Sequence, residues 1–93
     1  MTRPTLSPAA ARVVALFGDR PSRSGQTDDG ATVLEWYREG RELHVGVDED
    51  GTLDVLLVSA SGVPVLEGPA TLDDIQDLRS WIRWGALAWG LRR

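Results

Sequence analysis

Thr32-Val33-Leu34-Glu35-Trp36-Tyr37-Arg38, then Leu43-His44-Val45-Gly46-Val47, then Leu53-Asp54-Val55-Leu56-Leu57-Val58: on these three runs the fold turns. Each is rich in β-branched, aromatic or aliphatic residues, and in the second the apolar positions alternate with His44 and Gly46. That period of two is the signature of a strand with one apolar face. Glu39-Gly40 turns the first run into the second. Asp48-Glu49-Asp50-Gly51 reads as a tight hairpin turn in which Gly51 supplies the positive φ. Residues 53–60 form the most hydrophobic run, with Leu53, Val55 and Leu57 on one face and Leu56 and Val58 on the other. Apolar residues on both faces predict a central strand covered on both sides, at least in part. Ser61-Gly62 then turns into a short strand over residues 63–66, where Pro64 cannot donate to a ladder and so marks an edge.

Outward from this meander, both flanks read as helices. Upstream, Ser7-Pro8 is a helix start: serine accepts from an orphan N–H, and proline at the first position loses nothing by lacking its own. Ala9, Ala10, Val13, Leu16 and Phe17 recur at helical spacing until Gly18. Residues 18–30 hold no large apolar side chain and are expected to form a long, exposed polar loop, with residues 1–6 a flexible terminus. Downstream, Gly68-Pro69 is expected to break the last strand, and Thr71 with Asp74 forms a capping-box start. Asp73, Asp74 and Asp77 come early and Arg79, Arg83, Arg92 and Arg93 late, the order favoured by the helix dipole. The predicted fold is therefore α+β: an N-terminal helix, a four-stranded antiparallel β-meander and a C-terminal helix packed on the sheet. With 93 residues, it is one domain over residues 1–93.

Composition limits what such a domain does. The net charge is −4, and all ten basic residues are arginine, with no lysine. An acidic domain is poorly suited to nucleic acid, where phosphate neutralisation supplies most of the affinity. Cysteine is absent, which removes disulfides, thiolate metal sites and a cysteine nucleophile. His44 is the only histidine, too few for a His-rich metal site. No cofactor and no metal is expected. Neither a long apolar run near the start nor a membrane-length segment is present, since the longest stretch, 81–91, is short and interrupted by Arg83. The expected location is cytoplasmic, with no membrane partner.

One feature exceeds what a small core needs. On the C-terminal helix Leu72, Ile75, Leu78, Ile82, Ala86 and Trp89 form the stripe expected to pack on the sheet. A second stripe, Trp81, Trp84, Ala88 and Leu91, lies on roughly the opposite side. Three readings are open: a cover from the N-terminal helix and the long loop, an interface with further copies of the chain, or a surface for a different partner or a membrane. The membrane is the weakest, because the chain lacks a basic polar face.

Catalytic patterns are weak. Asp48, Asp50 and Asp54 miss the register of a calcium loop, since glycine is not sixth and Ser59 stands twelfth. Ser59 and Ser61 lack a nucleophile elbow, and no phosphate-binding glycine loop occurs. Arg20 and Arg23 in the long loop, with Tyr37 and His44, are the candidate contacts for an anion or small ligand. A pocket in so short a chain would need residues from two subunits.

Leu34-Glu35-Trp36-Tyr37, Arg41-Glu42-Leu43-His44-Val45 and Asp50-Gly51 resemble the β-meander of a family of short uncharacterised bacterial proteins with an "LEW…REL.V.V…DG" segment. The resemblance covers about a third of the chain and implies a fold, with no activity attached. The favoured expectation is a non-enzymatic acidic interaction module that self-associates through its Trp-rich C-terminal helix. Antitoxins, immunity proteins and phage-type inhibitors are the fold-level analogies. The alternative is a ligand-binding or catalytic homo-oligomer with its pocket at the subunit junction.

Overall fold

The computed structural model describes residues 7–85. Ser7 caps the first helix, α1 (Pro8–Phe17), its hydroxyl accepting from the Ala10 N–H at 3.2 Å. Gly18 ends α1 at φ 86° and donates back to the Val14 carbonyl, a left-handed close that glycine adopts without Cβ strain. Five strands follow: β1 (Arg23–Gln26), β2 (Thr32–Arg38), β3 (Arg41–Val47), β4 (Leu53–Val58) and β5 (Pro64–Ala70). They pair in sequence order, every neighbour antiparallel. A 3₁₀ turn over Leu72–Asp74 leads into α2 (Ile75–Trp84).

The α+β class and antiparallel meander match the sequence reading; the strand count does not. The segment expected to be a polar loop contains β1, so the sheet has five strands. All four residues of β1 are exposed, so no apolar alternation marks it. Its order comes from the backbone ladder with β2, in which Arg23 faces Glu35 and Gln26 faces Thr32. The last strand is also longer than expected, running through Gly68-Pro69 to Ala70. An edge strand tolerates proline where the missing donor faces away from the ladder.

Among the described residues, the sheet is covered on one face. Leu34 and Trp36 of β2, Leu43 and Val45 of β3, and Val55 and Leu57 of β4 are buried there against Val13, Phe17, Ile75, Leu78 and Ile82. Phe17 stacks on Trp36 with ring centroids 4.1 Å apart, locking α1 to the sheet. The expectation that β4 is a central strand covered on both sides, at least in part, agrees with its place between β3 and β5 and is narrowed on its second face. Leu56 and Val58 lie on the opposite face, where the described residues supply no second layer, and they are only half-buried among their strand neighbours. Among the described residues, no helix is long and apolar enough to cross a membrane.

Helix α2 corrects the two-stripe expectation. It ends at Trp84, with Gly85 left-handed at φ 78° and donating to the Trp81 carbonyl at 2.8 Å. At 100° per residue, Ile75, Ile82, Leu78 and Trp81 fall within an arc of about 120°, with Trp84 about 60° beyond it. Trp81 therefore belongs to the core and is 4% exposed, while Trp84 is 73% exposed. Leu72, expected inward, lies in the 3₁₀ turn and is exposed. Ala86, Ala88, Trp89 and Leu91 lie outside the described residues. The capping position is as expected: the Asp74 carboxylate accepts from the Thr71 N–H at 2.9 Å.

Candidate functional site

Three of the four ligand candidates meet on the open face of the sheet. The ladder sets Arg23, Glu35 and His44 side by side across β1, β2 and β3, and Tyr37 opposite Glu42 one row on. The His44 ring lies between two carboxylates, with Nε2 2.9 Å from Glu42 Oε1 and Nδ1 3.5 Å from Glu35 Oε2. The Tyr37 hydroxyl donates to Glu35, and its ring meets the His44 ring edge-on at 6.1 Å. That hydrogen bond holds the Glu35 carboxyl below its ordinary value. Partial burial opposes the shift, and the charges of His44 and Arg23 add to it. The same bond pushes the Tyr37 hydroxyl up, because losing its proton would leave two anions in contact. The carboxylates sit at opposite nitrogens of one ring, so they do not converge on a common point. Among the described residues no His, Asp or Glu group is arranged to hold a metal ion.

Arg20, the fourth candidate, lies elsewhere. It lines a cavity of about 140 Å³ with Ser22, Tyr37, Arg38 and Arg83, over the stacked Phe17 and Trp36. The walls are held by specific bonds. Trp36 Nε1 donates to the Asp19 carbonyl at 3.1 Å, and the Arg83 guanidinium grips the Asp19 carboxylate with Nε at 3.0 Å and Nη2 at 2.8 Å. Arg41 donates Nη2 to the Ile82 carbonyl at 2.8 Å, satisfying the end of α2. Trp84 stands beside this construction, lining a neighbouring groove with Gln76, Arg79, Ser80 and Arg83.

Searches of family models, curated proteins and solved structures find no match to this chain. The site therefore rests on its own geometry. Of the four interface candidates, Trp84 is exposed, Trp81 is core, and Ala88 and Leu91 are outside the described residues. Glu35, Glu42, Arg38 and Arg83 join the site only in the structure. The alternation that places His44 outward also places Glu35, Tyr37 and Glu42 outward, so Glu35 and Glu42 are within reach of the pattern. The grouping of Arg20, Arg38 and Arg83 joins the segment after α1, the end of β2 and α2, and follows only from how these pack together.

Proposed function

We propose that this chain is a non-enzymatic protein-interaction module that self-associates through the C-terminal end of α2, with Trp84 at the contact. The observation that supports this is the contrast between tryptophans: Trp36 and Trp81 are each 4% exposed, and Trp84 is 73% exposed. Leaving so large an apolar side chain in water forgoes roughly 1.5–3 kcal/mol of burial, which an association surface recovers. Tryptophan is also the side chain most enriched at binding hot spots. The test is absolute mass by light scattering after size exclusion. Wild type is expected well above the 10.1 kDa of one chain, and Trp84→Arg at one chain. A monomeric wild type would sink the proposal.

The meeting of Arg23, Glu35, Tyr37, His44 and Glu42 favours a second reading, a ligand-binding or catalytic homo-oligomer whose subunit junction closes over the open face. A metabolite bound there would raise thermal stability by mass action. A broad metabolite screen distinguishes the two readings: clear shifts support the second and none supports the first.

A further inference from the structure

The protein carries net negative charge, yet one end of it gathers positive charge that its own acids do not neutralise. The cavity under Arg20, Arg38 and Arg83 has three guanidinium groups and one carboxylate, Asp19, which Arg83 already occupies. Arg20 and Arg38 are exposed and have no ion-pair partner among the described residues. Across the β2–β3 ladder Arg38 stands directly opposite Arg41, a like-charge pair that destabilises a sheet. Arg41 is drawn to the Ile82 carbonyl and to Glu39, which leaves Arg38 with the repulsion and no counter-charge of its own. A local rule broken without compensation inside the fold is characteristic of a functional position.

The surroundings are preorganised for an anion. Ser22 accepts from the Tyr37 N–H at 3.1 Å, so its own hydroxyl hydrogen is free to donate. The floor is the rigid Phe17–Trp36 stack, and the Arg83 fork is fixed on Asp19. At about 140 Å³ the cavity is below the range of roughly 300–1,000 Å³ for drug-sized ligands. It suits a small anion or the terminal group of a larger one. We infer that this cavity seats a phosphate or carboxylate group, with Arg20 and Arg38 as the charged contacts and Arg83 and Ser22 shaping the seat. Arginine is the fitting residue, since its planar fork presents paired donors to either group.

The Trp36 indole N–H, bonded to the Asp19 carbonyl at the cavity wall, is a built-in reporter. Its resonance is followed by ¹⁵N–¹H NMR during titration with inorganic phosphate and, separately, with a short all-glutamate peptide, ionic strength being held constant with sodium chloride. A saturable shift with phosphate alone assigns the seat to phosphate groups, with the peptide alone to carboxylate side chains, and with both to the shared chemistry. The double variant Arg20→Ala/Arg38→Ala is expected to weaken binding at least about tenfold, as loss of a charge-assisted hydrogen bond does. Arg38→Lys, which keeps the charge and loses the fork, is expected to fall between and to remain readable if the double variant fails to fold. No saturable shift with either probe would overturn the inference. So would wild-type titration in a folded double variant, or in Arg38→Lys should the double variant not fold.

Discussion

Tyr37 and Glu35 show how one hydrogen bond sets two titrations in opposite directions. With the phenol donating to the carboxylate, Glu35 ionises more readily than an ordinary glutamate and Tyr37 less readily than an ordinary tyrosine. For Glu35 the folded pKa is depressed, so its contribution to stability is present above the ordinary carboxylate range. It is lost as pH falls through the folded value. For Tyr37 the folded pKa is raised, so its contribution is present below the ordinary tyrosine range and lost as pH rises through the folded value. In Tyr37→Phe the Glu35 carboxyl is expected to titrate higher, closer to an ordinary glutamate, by NMR of its side-chain carbon. The acid side of the stability profile in urea should change with it. A Glu35 titration identical in the two proteins would show that His44 and Arg23, and not Tyr37, set its value.

Helix α2 carries two tryptophans three residues apart with opposite expected behaviour. Trp81 lies in the core with Leu78 and Ile82, so Trp81→Ala is expected to cost about 3–5 kcal/mol, as large aromatic deletions in cores do. Trp84→Ala, on the exposed side, should leave monomer stability within about 0.5 kcal/mol. Chemical denaturation at concentrations low enough to keep the chain monomeric measures both. Comparable losses would mean that Trp84 is covered as Trp81 is. The same two residues show where the sequence is legible. Alternation in β2, β3 and β4 reports burial directly, because a strand buries every second side chain. A helix reports it less sharply: the buried arc of α2 is wide enough to admit Trp81, whose three-residue spacing from the exposed Trp84 assigns it to the other stripe. Strand β1 was illegible for a different reason. Arg23, Ser24, Gly25 and Gln26 have no apolar member, and backbone pairing leaves no trace in residue type. The candidate site inherits both limits: Glu35, Tyr37, Glu42 and His44 follow from alternation, Arg23 joins them only through β1, and the arginine cavity depends on how the segment after α1, the end of β2 and α2 pack together.

Over the whole molecule, charge is sorted along the strand direction. The β1–β2 and β3–β4 turns lie at the same end, since Thr32 pairs with Val47 and the Glu49 side chain lies over Gly30. Those two turns hold Asp28, Asp29, Asp48, Glu49 and Asp50 and no arginine, while Arg20, Arg38, Arg41 and Arg83 gather at the other end. The acidic residues are not equivalent. Asp29 accepts from the Thr27 hydroxyl, and Asp50 accepts from the Thr52 N–H at 3.0 Å and its hydroxyl at 2.8 Å. Both carboxyls are held below their ordinary values, Asp29 first by Thr27 and Asp50 first by the Thr52 backbone. They shape the turns, so neutralising either is expected to destabilise. Asp28 and Glu49 are exposed and contribute repulsion to the cluster. At 0.1 M salt the screening length is about 10 Å, comparable with the spacing of adjacent turns, so added sodium chloride should raise the melting temperature. The double variant Asp28→Asn/Glu49→Gln should begin about 2–4 °C higher at low salt, the shift of roughly half a kcal/mol in a domain of this size, and respond less to salt. Calorimetry across a salt series checks this. A melting temperature that falls with salt would mean that attraction, led by the Arg83–Asp19 and Arg41–Glu39 pairs, outweighs the crowding of carboxylates at the far end.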